Sequence, residues 1–224
     1  MRIPLTSYAR RELRLYGTLL VAVTVLSVIL WVCVARWFVV VTAFLLMVLL
    51  WLGFFFRDPA RSIPEGAGLL VAPADGRVTE VAACEEERVG GKAQRVSIFL
   101  SIFDAHLNRA PCSGRVVSVT YEPGAFLNAM NPKSARVNEA NTVVLESDEA
   151  SGVPVLVKQI AGIIARRIVC ECTVGQTLAR GELFGMIKFG SRTELCVPAE
   201  HVAEIKVNVG DHVTAGETVI GVLQ

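Results

Sequence analysis

"PADGRVTEV", residues 73–81, is echoed later in the chain by "PCSGRVVSV", residues 111–119. Both follow the pattern Pro-x-x-Gly-Arg-Val-x-x-Val, in which a glycine-containing turn leads into a run rich in β-branched residues. A second pair, "VGQTLARGE" at 174–182 and "VGDHVTAGE" at 209–217, shares two glycines and a glutamate at the same spacing. These echoes predict either a duplicated turn-strand unit or turns that happen to use the same chemistry.

Short apolar runs broken by Gly, Pro and Asn fill the rest of the chain beyond residue 67. They include "GLLVAP", "QRVSIFLSIF", "NTVVLES", "VPVLVKQI" and "RRIVCECT". This spacing is typical of an antiparallel barrel or sandwich, and helical periodicity is scarce. We therefore predict a mainly β domain over residues 57–224, a barrel-sandwich of repeated units similar to lipoyl and biotinyl carrier domains.

The N-terminal part is strongly apolar. The segments Thr18 to Ala35 and Trp37 to Phe56 carry no charge, and Arg36 between them is the one charged residue. Each approaches the ~20 residues that cross a bilayer, whereas one unbroken helix would be too long. Residues 1–56 are therefore predicted to form a helical hairpin that anchors the chain in a membrane, by spanning it or by dipping into one leaflet.

Charge patterning sets further expectations. Basic residues flank both outer ends of the hairpin, at Arg2, Arg10, Arg11, Arg14, Arg57 and Arg61. The positive-inside rule then places both ends, and the β domain, in the cytoplasm of a cell-membrane protein. A formal net charge of +1 gives no basic surface for nucleic acid. The six cysteines include no Cys-x-x-Cys pair, so we expect free thiols and no metal site.

"GMIKFGSRTEL", residues 185–195, contains the pair Gly190-Ser191 inside an apolar, strand-like run. On local physics alone, a glycine within a strand is most simply a β-bulge. The alternative is chemical, because a serine hydroxyl can attack the preceding carbonyl and glycine offers no side chain to obstruct it. That attack turns an amide into an ester, from which a pyruvoyl group can form at residue 191.

Two further residues are candidates for proton transfer. His106 follows an apolar strand in "SIFLSIFDAHLNRAP", a position suited to a general base, although a structural loop histidine is the simpler interpretation. Asp75, in the Asp-Gly turn of "PADG", either bonds nearby backbone or orients His106. His201 and His212 are predicted to be surface residues.

Six motifs together resemble the phosphatidylserine decarboxylase family in its short form. They are "PADG", "FLSIFDAHLNRAPCSG", "YEPGAFLNA", "NEAN", "AGIIARRIV" and "GMIKFGSRTEL", in the family's order across residues 53–222. The resemblance implies self-cleavage between Gly190 and Ser191, with Asp75 and His106 activating Ser191. It also implies a covalent pyruvoyl cofactor derived from Ser191. A Schiff base with this cofactor would decarboxylate phosphatidylserine to phosphatidylethanolamine, with His106 assisting or protonating the product.

The loop "YEPGAFLNAMNPKSARVNEANT", residues 121–142, is predicted to lack regular structure, and it is either a functional loop that contacts the substrate or an ordinary covering loop. Within it we expect Phe126, Asn128, Lys133 and Arg136 to bind substrate. Lys133 and Arg136 are included because this chain has Ala140 where the family's Asn-Glu-Arg-Asn-like stretch has an arginine. If that arginine binds the substrate phosphate in the family, another cation must bind it here. A second family histidine is here Arg109, and its role is not carried over.

Other readings remain open from the sequence. The same chemistry would suit a pyruvoyl decarboxylase of another aminolipid or of an amino acid, although a membrane hairpin favours a lipid. A different class is a non-enzymatic membrane-anchored adaptor of lipoyl-like repeats, modified on Lys188 of "MIKF". The expected partners are a phospholipid membrane and phosphatidylserine, with a homodimer suggested by self-complementary strands and the family's habit.

Overall fold

The computed structural model describes residues 5–10, 13–131, 133–163, 168–188 and 191–224. It divides into two compact units, Met1–Pro59 and Ala60–Gln224.

The first unit is a pair of apolar helices. Helix α1 spans Thr18–Cys33, continuing from a π-helical turn at Leu13–Gly17, and α2 spans Phe38–Phe55. The hydroxyls of Ser27 and Thr42 bond across the pair at 2.9 Å. The segments Leu13–Cys33 and Phe38–Phe55 are long and apolar enough to cross a membrane, judged by length and composition. The predicted N-terminal helical pair is confirmed.

The second unit is mainly β, as predicted. It also contains one short α-helix, α3 at Ser134–Val137, and 3-10 turns at Glu87–Val89 and Ala199–His201. Its described strands are β1 Leu69–Val71, β2 Gly76–Glu86, β3 Gly91–Leu100, β4 Leu107–Arg109, β5 Gly114–Glu122, β6 Ala140–Ser147, β7 Pro154–Ile160, β8 Ile168–Cys170, β9 Thr177–Leu178, β10 Leu183–Ile187, β11 Ser191–Pro198, β12 Val202–Ile205, β13 His212–Val213 and β14 Val219–Leu223.

The strands form one sheet of eight and two sheets of three. The large sheet has the order β13-β2-β3-β11-β7-β6-β5-β9, and the small ones β1-β14-β12 and β4-β10-β8. The orders show an internal symmetry. If β1, β2 and β3 are exchanged with β4, β5 and β6, and β11 to β14 with β7 to β10, the two small sheets turn into each other and the large sheet keeps its order, read from the other edge. The second unit therefore consists of two copies of one repeat: the first repeat is β1–β3 plus β11–β14, and the second is β4–β10.

The repeated sequences occupy equivalent places in the two copies. Gly76 opens β2 opposite Val213 of β13, and Gly114 opens β5 opposite Leu178 of β9. In each copy a glycine with positive φ donates its N–H over 2.8 Å to a valine of the long strand; the pairs are Gly210–Val78 and Gly175–Val116. The duplication predicted from the echoes is thus real, and more than shared turn chemistry.

The second repeat is inserted whole into the first. The chain leaves the first repeat after β3, completes β4 to β10, and returns at β11. Because β10 and β11 belong to different sheets, the expectation of one continuous strand through "GMIKFGSRTEL" is wrong. Strand β10 of the second repeat ends at Ile187, and β11 of the first repeat begins at Ser191. Gly190, and with it the β-bulge interpretation, lies outside the described residues.

Strand β11 lies at the centre of the large sheet, and all eight of its residues are buried. Successive side chains of a strand point to opposite faces. Leu195 and Val197 accordingly belong to the main apolar core, with Ser191 and Thr193 on the same face, while Arg192 and Glu194 point to the other face. Pairing on both edges and burial on both faces hold β11 in place directly after the predicted cleavage bond.

Candidate active site

Ser191 is the first residue of β11, paired in register with Leu100 at the end of β3. Its side chain is completely buried, and its hydroxyl has no hydrogen-bond partner among the described residues. A buried hydroxyl without a partner costs free energy, and such a group calls for an explanation, of which a chemical role is one. This environment favours a reactive role for the Ser191 hydroxyl over a purely structural one.

His106 lies immediately before β4 and is completely buried. Its Nδ1 is 3.0 Å from the carbonyl oxygen of Asp104, and its own carbonyl accepts a hydrogen bond from the N–H of Ile187. Because a carbonyl can only accept, Nδ1 carries the hydrogen of the neutral ring. The lone pair then sits on Nε2, which is the form that a general base requires.

The loop holding His106 is closed by Asp104. One oxygen of its carboxylate accepts 2.7 Å bonds from both the N–H and the hydroxyl of Ser101, and the other lies 3.3 Å from Nε2 of His212. His212 is on the surface, as predicted, yet its contact with Asp104 was not foreseen from the sequence. These bonds fix the carbonyl that orients His106.

The two oxygens of Asp75 have different partners. Oδ1 accepts the N–H of Ala215 at 2.7 Å, and Oδ2 forms a 2.6 Å ion pair with Arg61. In the second repeat, Ser113 replaces Asp75 and accepts the N–H of Arg180 at 3.1 Å. The bond to Ala215 is therefore a structural feature common to both repeats. The negative charge is specific to the first repeat.

A buried amide, Asn108, connects the three candidate segments. Its Nδ2 donates to the hydroxyl of Thr193 at 3.0 Å and to the carbonyl of Pro73 at 3.4 Å. Its Oδ1 accepts from Gln159 at 2.8 Å, and Gln159 in turn accepts from Asn141 at 3.0 Å. Sequence reasoning missed this network, although amides inside apolar strands could have signalled it.

Three residues joined by these bonds each lie two positions from a candidate. Pro73 precedes Asp75 by two positions, Asn108 follows His106 by two, and Thr193 follows Ser191 by two. Within a strand, a spacing of two keeps side chains on one face, as Thr193 and Ser191 show on β11. The bonds of Asn108 to Pro73 and Thr193 thus bring together the chain segments that carry Asp75, His106 and Ser191.

Arg192 anchors the start of β11 from the opposite face. It is nearly buried and contacts the Glu80 carboxylate at 2.9 Å, the Ser97 hydroxyl at 2.8 Å and the Glu194 carboxylate at 2.9 Å. Burial alone would raise the pKa of Glu80, but the hydrogen bond from Arg95 and the charges of Arg95 and Arg192 lower it overall. Glu80 therefore stays ionised and holds Arg192.

The predicted substrate loop contains more regular structure than expected. Strand β5 reaches Glu122, β6 begins at Ala140, and α3 lies between them, so the prediction of no regular structure over 121–142 is wrong at both ends and within. Phe126 is half-buried, and Asn128 is exposed with its side-chain oxygen accepting the N–H of Met130.

Lys133 and Arg136, the predicted phosphate cations, are exposed and line a pocket of about 480 Å³. The pocket is also lined by Arg192 and Glu194, whose side chains lie on the face of β11 opposite Ser191. Neither Lys133 nor Arg136 has an ion-pair partner within the described ranges, so both charges are available to a ligand.

The described cysteines are free thiols. Cys170 and Cys172 bring their sulfurs within 3.2 Å of each other. The Cys172 thiol hydrogen-bonds to Cys170 and, aided by Asn141, lowers the pKa of Cys170 to about 7 against the opposing effect of burial. Within the described residues no group of three His, Cys, Asp or Glu side chains is arranged to hold a metal ion.

Comparison with known proteins identifies relatives over most of the chain. The family model described as "Phosphatidylserine decarboxylase" matches residues 48–221. A phosphatidylserine decarboxylase proenzyme of Rhodopirellula baltica is 46% identical over 202 residues, 89% of this chain and 83% of the relative. One of Geotalea uraniireducens is 42% identical, covering 89% and 88%, and one of Symbiobacterium thermophilum is 52% identical, covering 75% and 76%.

Proposed function

The chain belongs to the phosphatidylserine decarboxylase family, and we propose that it is a carboxy-lyase that converts phosphatidylserine to phosphatidylethanolamine after cutting itself between Gly190 and Ser191. The observation that carries the proposal is the buried hydroxyl of Ser191, which has no hydrogen-bond partner among the described residues. The relatives of this chain are named proenzymes, which supports the proposal that the chain is processed before it is active.

The proposed cleavage uses the protein's own side chains. Nε2 of His106 takes the hydroxyl proton of Ser191, and the serine oxygen attacks the carbonyl carbon of Gly190. The C–N bond breaks as the former amide nitrogen gains a proton, which leaves an ester. Elimination then releases the Gly190 carboxylate and leaves dehydroalanine at residue 191. Addition of water with loss of ammonia leaves a pyruvoyl group.

Asp75 is proposed to support this step through its charge. The neutral Ser113 performs the structural bond in the second repeat, so the fold does not require a carboxylate at this turn. A negative charge near an imidazole that accepts a proton stabilises the product imidazolium. Arg61 holds the second oxygen of Asp75 at 2.6 Å and so fixes where that charge lies.

The position of the cut suits the topology. Residues 191–224 contain β11 to β14, which complete the first repeat by pairing with β1, β2 and β3, while β11 also pairs with β7. The backbone bond between the repeats can therefore be lost while all these strand pairs remain. The ion pairs of Arg192 hold the second residue of the new chain.

The site fits a pyruvoyl group at residue 191, because that position is buried and the hydroxyl oxygen, which leaves with Gly190, has no described hydrogen bond to lose. Such a ketone supplies an electrophilic carbonyl that condenses with the substrate's amine and accepts the electron pair released when carbon dioxide leaves. His106 is proposed to deliver the proton to the product carbon. Burial of residue 191 limits competing protonation by water.

We further propose that the two apolar helices hold the chain in the cell membrane, with residues 57–224 on the cytoplasmic side. The length and composition of Leu13–Cys33 and Phe38–Phe55 support the anchoring, and the arginines at both outer ends support the orientation.

Mass spectrometry of the purified full chain tests the proposal. We expect two fragments meeting at Gly190 and Ser191, the smaller blocked at its N-terminus and reactive toward hydrazine. Ser191→Ala should remain one chain, and because the hydroxyl has no partner its stability should be nearly unchanged. Thr142→Val, which also removes a buried unpaired hydroxyl, is the matched control and should be cleaved normally. An unmodified chain that stays whole on incubation would refute the mechanism.

Substrate identity follows from carbon dioxide release. Release from phosphatidylserine but not from free serine supports the lipid decarboxylase, while the reverse supports the amino-acid alternative. The adaptor alternative is weakened by Lys188, which is only 6% exposed and so poorly placed for modification by an enzyme.

A further inference from the structure

Large apolar side chains are unevenly exposed on the second unit. Of the ten that are exposed among its described residues, six lie in three loops. These six, here called the apolar rim, are Ile102, Phe103, Leu127, Met130, Val137 and Ile163. Single exposed apolar residues are ordinary on a protein surface, whereas a group gathered in one place marks a contact surface.

The three loops open from the same end of the large sheet. They follow β3, β5 and β7, whose last residues are Leu100, Glu122 and Ile160. The strand register connects these ends through the pairs Leu100–Ser191, Arg192–Ile160, Ile160–Ala140 and Ala140–Glu122. The apolar rim therefore lies at the end of the sheet where Ser191 begins β11.

We propose that the apolar rim rests in the surface of a phospholipid bilayer, so that the lipid substrate reaches residue 191 without leaving the bilayer entirely. This inference rests on the proposed function. A diacyl lipid taken fully into water exposes its acyl chains at a large cost, and an enzyme whose site opens at an apolar contact avoids that exposure. Apolar side chains on loops bind such an interface in proportion to the area they bury.

Charge on the same loop favours a bilayer over a second copy of the chain. Lys133 and Arg136 are exposed between Met130 and Val137, and neither has an ion-pair partner within the described ranges. Cations beside an apolar surface strengthen binding to bilayers that carry anionic headgroups, among them phosphatidylserine itself. A symmetric dimer through this face would bring the cations of both copies into one interface, where like charges repel.

The test uses the full chain in lipid nanodiscs and two forms of substrate. Long-chain phosphatidylserine is placed in the nanodisc bilayer, or water-soluble dibutanoyl-phosphatidylserine is added to nanodiscs of phosphatidylcholine alone. We expect Met130→Ser combined with Ile163→Ser to lower carbon dioxide release from the bilayer substrate by roughly tenfold, since the buried apolar area is lost. Release from the soluble substrate and self-cleavage should stay near the unmodified level.

Matched controls lie at the other end of the sheet. Val174 is 64% exposed, comparable to Met130 at 63% and Ile163 at 60%, and it lies in the turn beside the start of β5. Val174→Ser combined with Val117→Ser should leave both rates unchanged. Equal loss on both substrates in the rim variant, or no loss on either, would overturn the proposal.

Photo-crosslinking provides a readout independent of catalysis. With benzoylphenylalanine at position 163 or 174 and nanodiscs of phosphatidylcholine and phosphatidylserine, crosslinks to lipid are expected at 163 and not at 174. Crosslinks from position 163 to a second copy of the chain would show that the apolar rim is a dimer interface and would refute the proposal. If an unmodified chain releases no carbon dioxide from either substrate, the proposed function fails, and the crosslinks at 163 still decide whether the rim meets lipid.

Discussion

The side-chain amide of Asn108 donates a hydrogen bond to the Thr193 hydroxyl over 3.0 Å, where neither residue has any exposed surface. This bond joins β4, which follows His106, to β11, which begins at Ser191. It is the most direct described connection between the strands of the proposed base and the proposed nucleophile.

Breaking this connection should slow self-cleavage and cost stability. Thr193→Val keeps the shape of the side chain but removes the acceptor of Asn108, so we expect a loss of about 1–2 kcal/mol in the free energy of unfolding. Urea denaturation measures the loss, and a time course of fragment formation measures the cleavage rate, which we expect to fall several-fold. Thr142→Val removes a buried hydroxyl that has no partner and should be neutral or stabilising. Equal effects of the two substitutions would contradict the role given to Asn108.

Asp75 should act through its charge as well as through its backbone contact. Asp75→Asn keeps an acceptor for the N–H of Ala215 but leaves the nearly buried Arg61 without its anion, at a cost of about 3 kcal/mol. The second change Arg61→Met should restore most of the stability. Cleavage, followed by mass spectrometry, should remain slow in the double variant.

The equivalent position in the second repeat provides a control for the role of Asp75. Ser113→Ala loses the corresponding bond to Arg180 in the second repeat and should be processed at the normal rate. Recovery of both stability and cleavage in the Asp75→Asn/Arg61→Met variant would reduce Asp75 to an ion-pair partner of Arg61.

The exposed cations of the substrate loop should affect substrate binding and leave processing intact. Lys133→Gln and Arg136→Gln each remove a charge that has no described ion-pair partner, and we expect KM for phosphatidylserine to rise about threefold to tenfold with kcat little changed. Steady-state carbon dioxide release gives both constants. Lys92→Gln, an exposed lysine at the opposite end of β3, is the control. An unchanged KM in both variants would remove these residues from the binding site.

Cys170 should react with alkylating agents at an unusually low pH. Only the thiolate reacts, and its fraction rises as pH increases through the pKa, which is about 7 for Cys170 and ~8.5 for an ordinary cysteine. Peptide mapping after brief iodoacetamide treatment should therefore place the half-maximal rate at Cys170 near pH 7. Cys172→Ala removes the main stabilising hydrogen bond and should move that midpoint upward. A midpoint that stays in place would show that Cys172 does not stabilise the thiolate.

Several features were predictable because they depend on local chemistry. Uncharged apolar segments of membrane length gave the helical pair, and Gly-containing turns before β-branched runs gave the mainly β unit. The echoes at residues 73–81 and 111–119 left a repeat and shared turn chemistry as alternatives, and the structure decides for the repeat because both glycines open equivalent strands.

Other features depended on which strands become neighbours. "GMIKFGSRTEL" has one apolar pattern, yet tertiary pairing puts β10 and β11 in different sheets, which no local rule anticipates. Asn108, Gln159 and Asn141 were overlooked because an amide in a strand has no assigned partner until distant strands supply one.

By itself, the sequence determined the apolar helical pair and the mainly β class, since composition and periodicity act over short stretches, and its motifs supplied the family resemblance that pointed to Ser191, His106 and Asp75. Only the tertiary structure decided that the Gly190-Ser191 junction joins the two repeats and that Thr193 meets Asn108. It also gave Asp75 the ion pair with Arg61. These depend on contacts between residues far apart in the chain, which burial and strand pairing select together.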